Sequence, residues 1–428
     1  MKFTSLPWFR SWLSAIHPQV WILAIGRFLS EVGTGFTLFY APIFFVNQVG
    51  LSATSVGFAL GSGSVAGIAG RILGGTLADS RWGRRRTLLL SAGIAAIGSF
   101  VLAATQDFVT LVAGNLIYGF ATGLYWVPTE AIVADLTATG NRRESFAVTR
   151  LADNLGLGMG IVLAGVLVAK TSNYRLLFAI DAISFVVFFA VIWIAIKETL
   201  RPSQHQDSSH RGYLGAWIAA LQNQKLRVYV VVNILFTTYI SQLHSTLPLY
   251  FKNFVPNVHS YGFAETTISK LFAWHLVVAI LAQLPMAKVL NRFSHTIALS
   301  ISSVVWAIGF GLIWLTGVTT SGNIYWAASA LAVFAVAIVS YTPSAASLVS
   351  DLAPESQRGV YLSINSLCWA CGYFIGPILG GWTLDQPRGA IGYLWIGLLA
   401  TVGIAIAILQ YLGRIIKAEN LQVPRKNI

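Results

Sequence analysis

The sequence predicts an all-α membrane protein: twelve transmembrane helices arranged as two pseudo-symmetric six-helix bundles. Three observations predict it. Of 428 residues, 56% are hydrophobic and 10% charged, whereas soluble domains carry roughly 25% charged residues. So few charges cannot cover an aqueous surface, so most of the surface faces lipid. Apolar runs long enough to cross a bilayer recur from end to end. The chain also repeats itself. Asp135, Leu136, Arg142, Gly156, Gly160 and Gly165 return 216 positions later, without a gap, as Asp351, Leu352, Arg358, Gly372, Gly376 and Gly381. That offset is about half the chain, so the repeated unit is the whole half.

Taken in order, residues 1–19 carry Lys2, Arg10, Pro7 and several aromatics. They read as an interfacial segment leading into the first span, with no cleavable-signal pattern. Six spans follow within 20–196, near 20–46, 55–78, 87–105, 108–135, 145–169 and 176–196. Helices are the reading for all of them, because a spanning segment must satisfy its backbone groups internally. Residues 197–225 are the one long break in apolarity and divide six spans from six. Their first part, around Pro202, is polar linker. Their second part sets Leu214, Trp217, Ile218 and Leu221 on one helical face, as suits a helix lying on the inner membrane surface. Six further spans lie within 226–415, near 228–251, 266–287, 297–316, 324–349, 361–383 and 391–413. Residues 416–428 form a cytoplasmic tail.

The net charge of +13 raises nucleic acid as a partner, but its distribution argues against one. Of 28 Lys and Arg, five lie on the outer side (Lys170, Arg175, Lys252, Lys270, Arg388), three inside spans (Arg27, Arg71, Arg150) and 20 on the cytoplasmic side. This is the positive-inside asymmetry, and it sets both termini in the cytoplasm. The basicity serves topology and anionic headgroups. Cys368 and Cys371 have C-x-x-C spacing inside an apolar helix, where small-residue packing is a better reading than metal or redox chemistry.

Between spans two and three stand Gly75, Leu77, Asp79, Arg81, Gly83, Arg84, Arg85 and Arg86. This stretch resembles motif A of the major facilitator superfamily, with three residues rather than two between the Asp and the following Gly. The second-half counterpart around Asn291, Arg292 and Ser294 keeps the spacing and has lost the acid and the glycine. In span eleven, Gly372, Gly376, Pro377, Gly380 and Gly381 match that family's motif C. The span-five copy, Gly156, Gly160 and Gly165, has Ile161 for the proline and Ala164 for a glycine. The family carries motif C in span five of its antiporters, so the better copy here is in the other half. Glycines four apart give one flat face for close helix packing. Where the family's drug-and-proton branch places the motif B arginine of span four, this chain has Asn115.

The resemblance implies the major facilitator fold, with spans one, four, seven and ten lining a central cavity. It also implies that Asp79, with Gly75, latches the cytoplasmic side of the outward-facing state, near the start of span eleven and the Arg142–Arg143 loop. Arg84, Arg85 and Arg86 read as topology anchors. The cavity spans hold Asn115, Tyr118, Tyr125 and Trp126 in span four, Tyr239 and Gln242 in span seven and Tyr341 in span ten. An aromatic cavity suits a bulky, lipophilic or cationic solute.

A charge at the bilayer centre costs roughly 3 kcal/mol on insertion scales, so each needs a reason. Arg27 and Glu31 stand four apart on one face of span one, within pairing distance. Glu31 is the first proton-carrier candidate with Arg27 its modulator; a static ion pair is the alternative. In span five, Asp153 beside Arg150 is the second proton-carrier candidate; a gate or a partner for Arg150 is the alternative. Asp181 in span six reads as snorkelling or pairing with Arg175. His244 and His275 read as hydrogen-bonded in place.

No G-x-x-x-x-G-K-[ST] loop, metal-ligand cluster or Ser-His-Asp arrangement occurs, and the loops are too short for a catalytic domain. The chain is expected to be no enzyme and to need no cofactor or metal. A channel would not require duplicated halves with a latch, whereas many secondary transporters are built from such halves around a midplane cavity. A nutrient symporter would show paired Asn and Gln in the cavity spans, and few stand out. The reading is a secondary active transporter resembling the multidrug efflux branch. It exports a small amphipathic or lipophilic solute against protons, by alternating access. Proton-coupled uptake and export of a specific metabolite or sugar are the alternatives. Its partners are the solute, protons and membrane lipid; it is expected as a monomer in a bacterial cytoplasmic membrane.

Overall fold

The computed structural model describes residues 16–137, 142–200, 213–256, 261–354 and 357–422. Helices make up nearly all of this. The first-half helices are α1 (Pro18–Leu38), α2 (Ala41–Asn47), α3 (Ala53–Asp79), α4 (Arg84–Ala104), α5 (Phe108–Leu136), α6 (Arg142–Thr171) and α7 (Arg175–Ala195). After α8 (Tyr213–Gln222) come α9 (Gln224–His244), α10 (Thr246–Asn253), α11 (Glu265–Leu290), α12 (His295–Val318), α13 (Asn323–Leu352), α14 (Arg358–Leu384) and α15 (Arg388–Gln422). Among the described residues, twelve segments are long and apolar enough to span a membrane. Span one is broken into α1 and α2 where Pro42 starts the second piece. Span seven breaks likewise into α9 and α10, with Pro248 in the first turn of α10.

Local chemistry sets the helix ends. Asp107 begins α5 with a reciprocal capping box: its carboxylate accepts from the Thr110 backbone N–H at 2.8 Å. Asn223 begins α9 by accepting from Lys225 N at 2.9 Å and Leu226 N at 3.3 Å. Lipid-facing positions are apolar to an extent no water-facing surface would be: Ile194 is 81% exposed and Leu284 73%.

The helices pack as two units, Met1–Leu51 with Phe58–Asp207 and Ser52–Gly57 with Ser208–Ile428. In the first, α1 packs on α6 and α7, and α4 on α5 and α7. Leu23, Leu88, Ala92, Ile132, Phe188 and Ile192 form its core. In the second, α9 packs on α14, and α12 on α13 and α15. Its core is aromatic: Trp306 lies 5.7 Å from Tyr239, 5.7 Å from Phe310 and 5.0 Å from Phe334 between ring centroids.

The division departs from one placed simply at the linker, because the first turn of α3 belongs with the second unit. Asp385, just past α14, accepts from Ala53 N at 2.9 Å, Thr54 N at 2.8 Å and Thr54 Oγ1 at 2.5 Å. A carboxylate from a distant helix thus caps the α3 N-terminus. The expected linker around Pro202, the segment 1–15 and the end of the tail lie outside the described residues. In α8, Ile218 and Leu221 are exposed together; the side chain of Leu214 lies outside the described set.

Candidate functional site

The charged cluster of the first unit is built by glycine packing. A Cβ at Gly156 would lie 2.4 Å from Phe28 O, one at Gly160 2.1 Å from Val32 O, and one at Gly35 2.4 Å from Leu157 O. Only glycine at these positions lets α1 and α6 run this close, and Gly165 is buried further along α6. The close approach carries Arg27 onto Asp153. Arg27 Nε donates to Asp153 Oδ1 at 2.8 Å and Nη2 donates to Oδ2, a bidentate fork. Arg27 is 1% exposed. Its guanidinium carbon lies 5.9 Å from the Tyr125 ring centroid and 5.7 Å from that of Trp126, so two aromatic faces complete its coordination.

This differs from the pairing that sequence spacing suggests. Arg27 is taken by Asp153, not by Glu31 on its own helix. Arg150 is taken by Glu130, Nη2 to Oε1 at 2.6 Å, with its guanidinium 5.1 Å from the Trp126 ring, not by Asp153. The physical reason is helix proximity. Across the α1–α6 glycine seam a bidentate fork is available to Arg27 and Asp153. Glu31 is left half-buried, with no hydrogen bond or ion pair among the described residues, and within electrostatic reach of both Arg27 and Asp153.

Asp181 is corrected as well. It neither snorkels nor meets Arg175. It is 1% exposed and its Oδ2 accepts from Ser99 Oγ at 2.7 Å. Arg175 donates instead to Ala103 O at 2.5 Å and Thr105 O at 3.0 Å. Asn115 is buried and donates to Leu111 O of its own helix at 3.0 Å. Tyr118 packs edge-on to Phe185, 6.0 Å between centroids.

At the N-cap of α4, Gly83 has φ of +88°, a conformation that strains any side chain. A Cβ there would also lie 2.3 Å from Glu198 Oε2. Glu198 accepts from Arg84 N at 3.0 Å and Arg85 N at 3.1 Å, capping α4 from beyond α7. Arg84 pairs with Asp135 at the end of α5 and reaches Asp79 at 3.7 Å; Asp79 is 73% exposed. Arg85 donates to Trp193 O at 2.6 Å and lies 5.4 Å from its ring. Arg84 and Arg85 are therefore structural fasteners of the first unit, more than topology anchors. A Cβ at Gly75 would make only ordinary contact with Val127. The side chains of Arg142 and Arg143 lie outside the described residues.

The second unit holds a neutral polar network that the sequence did not bring forward. Asn365 Oδ1 accepts from Tyr229 Oη at 2.6 Å and from Asn233 Nδ2 at 2.9 Å. Tyr341 Oη donates to Asn233 Oδ1 at 2.5 Å, and the Tyr341 ring stacks on Phe236 at 4.8 Å. The asparagine pair joins span seven to span eleven, Asn233 in α9 to Asn365 in α14. Two cavity candidates are packing groups instead. Gln242 donates to Gly376 O at 2.9 Å and accepts from Thr246 Oγ1 at 2.5 Å. Tyr239 bonds Thr401 Oγ1 at 2.8 Å inside the aromatic core. Along the glycine face of α14, Cβ atoms at Gly372, Gly376 and Gly380 would meet Thr237, Ser241 and Thr246 within 2.1 Å, while one at Gly381 would meet Ala53 O at 2.2 Å and one at Gly57 Pro377 O at 2.0 Å. His244 shares a hydrogen bond with Tyr373 at 3.1 Å and His275 one with Leu331 O at 2.8 Å. Cys368 and Cys371 are free thiols.

Among the described residues, twelve segments are long and apolar enough to make this an integral, multi-pass membrane protein, and its family match makes it a transporter rather than an enzyme. The chain belongs to the Major Facilitator Superfamily, whose profile matches residues 23–255 and 251–426. Over 90% of its length it is 23% identical to the multidrug resistance protein MdtH of Blochmanniella floridana, covering 94% of that protein. Over 83% of its length it is 24% identical to a Na(+), Li(+), K(+)/H(+) antiporter of Planococcus maritimus, covering 87% of it. The crystal structure of the nucleoside transporter NupG matches 92% of this chain and 99% of its own at a TM-score of 0.78 and 16% identity, a likeness of fold. Within the family the chain resembles the drug:proton antiporter branch.

Proposed function

We propose that this protein exports a small amphipathic or lipophilic solute in exchange for protons, by alternating access. On this reading it sits as a monomer in a bacterial cytoplasmic membrane, both termini in the cytoplasm. The observation that supports it most is Glu31, a carboxyl inside a spanning helix whose nearest cation is already engaged by another acid. Such a group is not held ionised by a partner, so it is free to take up and lose a proton.

The chemistry follows from the geometry. With Glu31 protonated, Arg27 and Asp153 form a one-to-one pair and the cluster is neutral. When Glu31 loses its proton, its carboxylate competes with Asp153 for Arg27 across the α1–α6 seam. The two protonation states thus favour different side-chain arrangements at a helix interface, which is what coupling to a conformational change requires. Trp126, whose ring faces both Arg27 and Arg150, is the aromatic group of the cluster that an amphipathic solute would meet. Transport of the MdtH kind, into which a multidrug resistance protein falls by name, fits this reading.

The Asn233–Asn365–Tyr341 network favours a second reading, in which the solute is one specific polar metabolite. The test is pH-gradient-driven transport in proteoliposomes with the parent, Glu31→Gln and Asp153→Asn. Export coupled to protons at this cluster predicts loss of gradient-driven flux in both variants. If both exchange like the parent, coupling at these residues is wrong. Flux that runs with the proton rather than against it selects uptake.

A further inference from the structure

We infer that Asp181 is a second proton-binding site of the first unit, loaded in the state seen here. The carboxyl is 1% exposed, in the interior of α7. Its Oδ2 has one partner, the Ser99 hydroxyl at 2.7 Å, and its Oδ1 has none. It forms no ion pair among the described residues. An ionised carboxylate so buried, with one oxygen bare and no cation, carries a desolvation cost that a single hydroxyl does not offset. The same group carrying a proton is neutral and fits its surroundings.

The neighbours make this a site rather than an accident of packing. Gly33 of α1 lies against the carboxyl: a Cβ there would be 2.9 Å from Asp181 Oδ1 and 2.0 Å from Ser184 Oγ. Ser184 itself donates to Asp181 O at 2.7 Å, which leaves the side chain to its own partners. Four elements supply the groups that face it. From α1 comes Glu31, within electrostatic reach; Arg27 of the same helix is committed to Asp153. From α5 comes the Tyr118 phenol. From α4 comes only the Ser99 hydroxyl. On α7 itself, Arg175 is turned to Ala103 O and Thr105 O. The charged group in reach is therefore another acid, and no cation among the described residues offsets a negative charge on Asp181.

The inference builds on the proton-coupled reading for what the proton is used for, and its test locates the proton independently of transport. Infrared difference spectra of the purified full chain, recorded across a pH jump from neutral to alkaline, are expected to show the carbonyl stretch of a protonated acid disappearing. In a Glu31→Gln background that band remains, and in Asp181→Asn it is gone. Ser99→Ala moves it to higher frequency, because the acid loses its hydroxyl partner. Asn is the neutral isostere, so Asp181→Asn is expected to keep the thermal midpoint of the parent. A band untouched by Asp181→Asn, or one that never responds to pH, overturns the inference. Loss of the band in Glu31→Gln alone leaves the Glu31 reading standing and sinks this one.

Discussion

The Arg27 cluster makes a quantitative prediction through a double-mutant cycle. Asp153→Asn replaces one oxygen of the fork with an NH2 and removes the negative charge that holds Arg27. Removing one member of a buried pair costs about 3–5 kcal/mol when the other charge is stranded. Arg27 is 1% exposed and cannot escape to water, but Glu31 stands one turn away on the same helix. At about 5 Å and an effective dielectric of about 20, that carboxylate returns about 3 kcal/mol. The single variant Asp153→Asn should therefore lose about 0–2 kcal/mol and Glu31→Gln almost nothing, while the double variant strands Arg27 and loses about 3–5 kcal/mol. The coupling energy is about 3 kcal/mol. Unfolding of the four proteins in one detergent, followed by tryptophan fluorescence, measures it. Additivity within about 0.5 kcal/mol refutes the idea that Glu31 is the alternate partner of Arg27. The cycle also explains why Asp153→Asn should stop proton coupling with Glu31 intact: the acid becomes a fixed counter-ion.

Three further outcomes are expected. Gly83→Ala and Gly50→Ala place the same strain at φ of +88° and +82°, about 1–3 kcal/mol each. Only the first drives a Cβ into Glu198, so its loss of thermal stability should be clearly the larger; equal losses would remove Glu198 as the α4 cap. Asp107, outside the membrane span, accepts the Thr110 hydrogen bonds that hold its carboxyl below the usual carboxylate range. A depressed acid contributes stability above its unfolded value and loses it as pH falls through the folded one. The thermal-midpoint gap between parent and Asp107→Ala should be widest at neutral pH and close in acid, and a gap independent of pH is the adverse result. Asn365→Ala leaves Asn233 Nδ2 without its acceptor and Tyr229 with only the 3.2 Å contact to Ala345 O, a loss of about 1–3 kcal/mol. The same unfolding measurement reads that loss.

The spans and the halves could be read from the sequence because they are encoded locally: hydropathy and length for the spans, a constant offset for the repeat. Cross-helix partners could not, since they depend on how each helix is rotated. Arg27 and Glu31, or Arg150 and Asp153, look like pairs when each helix is considered alone. The glycines at 156 and 160 marked a close-packing face on span five, but that span one packs there came only from the coordinates. The repeated Asp is another example. Asp135 pairs with Arg84 at the start of α4, and Asp351 meets His295 at the start of α12, Nε2 to Oδ2 at 3.1 Å. The acid was visible as a repeat, but its role as a fastener between successive helices needed coordinates. Asp181 was misjudged because distance along a span does not say which face carries the residue.

The repeat also aligns the two polar clusters. Gly160 packs on Val32 O and its counterpart Gly376 lies against Thr238 O, so Val32 and Thr238 hold equivalent positions. Counting five residues back along each helix reaches Arg27 and Asn233. Tyr125 and Tyr341 are likewise equivalent, and each attends that residue: the Tyr125 ring lies against Arg27, and the Tyr341 hydroxyl donates to Asn233. At the position of Asp153 the second half has Trp369. One inherited framework therefore carries a buried ion pair in the first unit and an amide with an aromatic ring in the second. An ion pair beside Glu31 responds to a proton through charge, whereas the amide cluster has no charge with which to respond. On the proposed reading, the divergence gives ion chemistry to the first unit and leaves the second with neutral hydrogen-bonding and stacking groups, those suited to reading the shape and polarity of a solute.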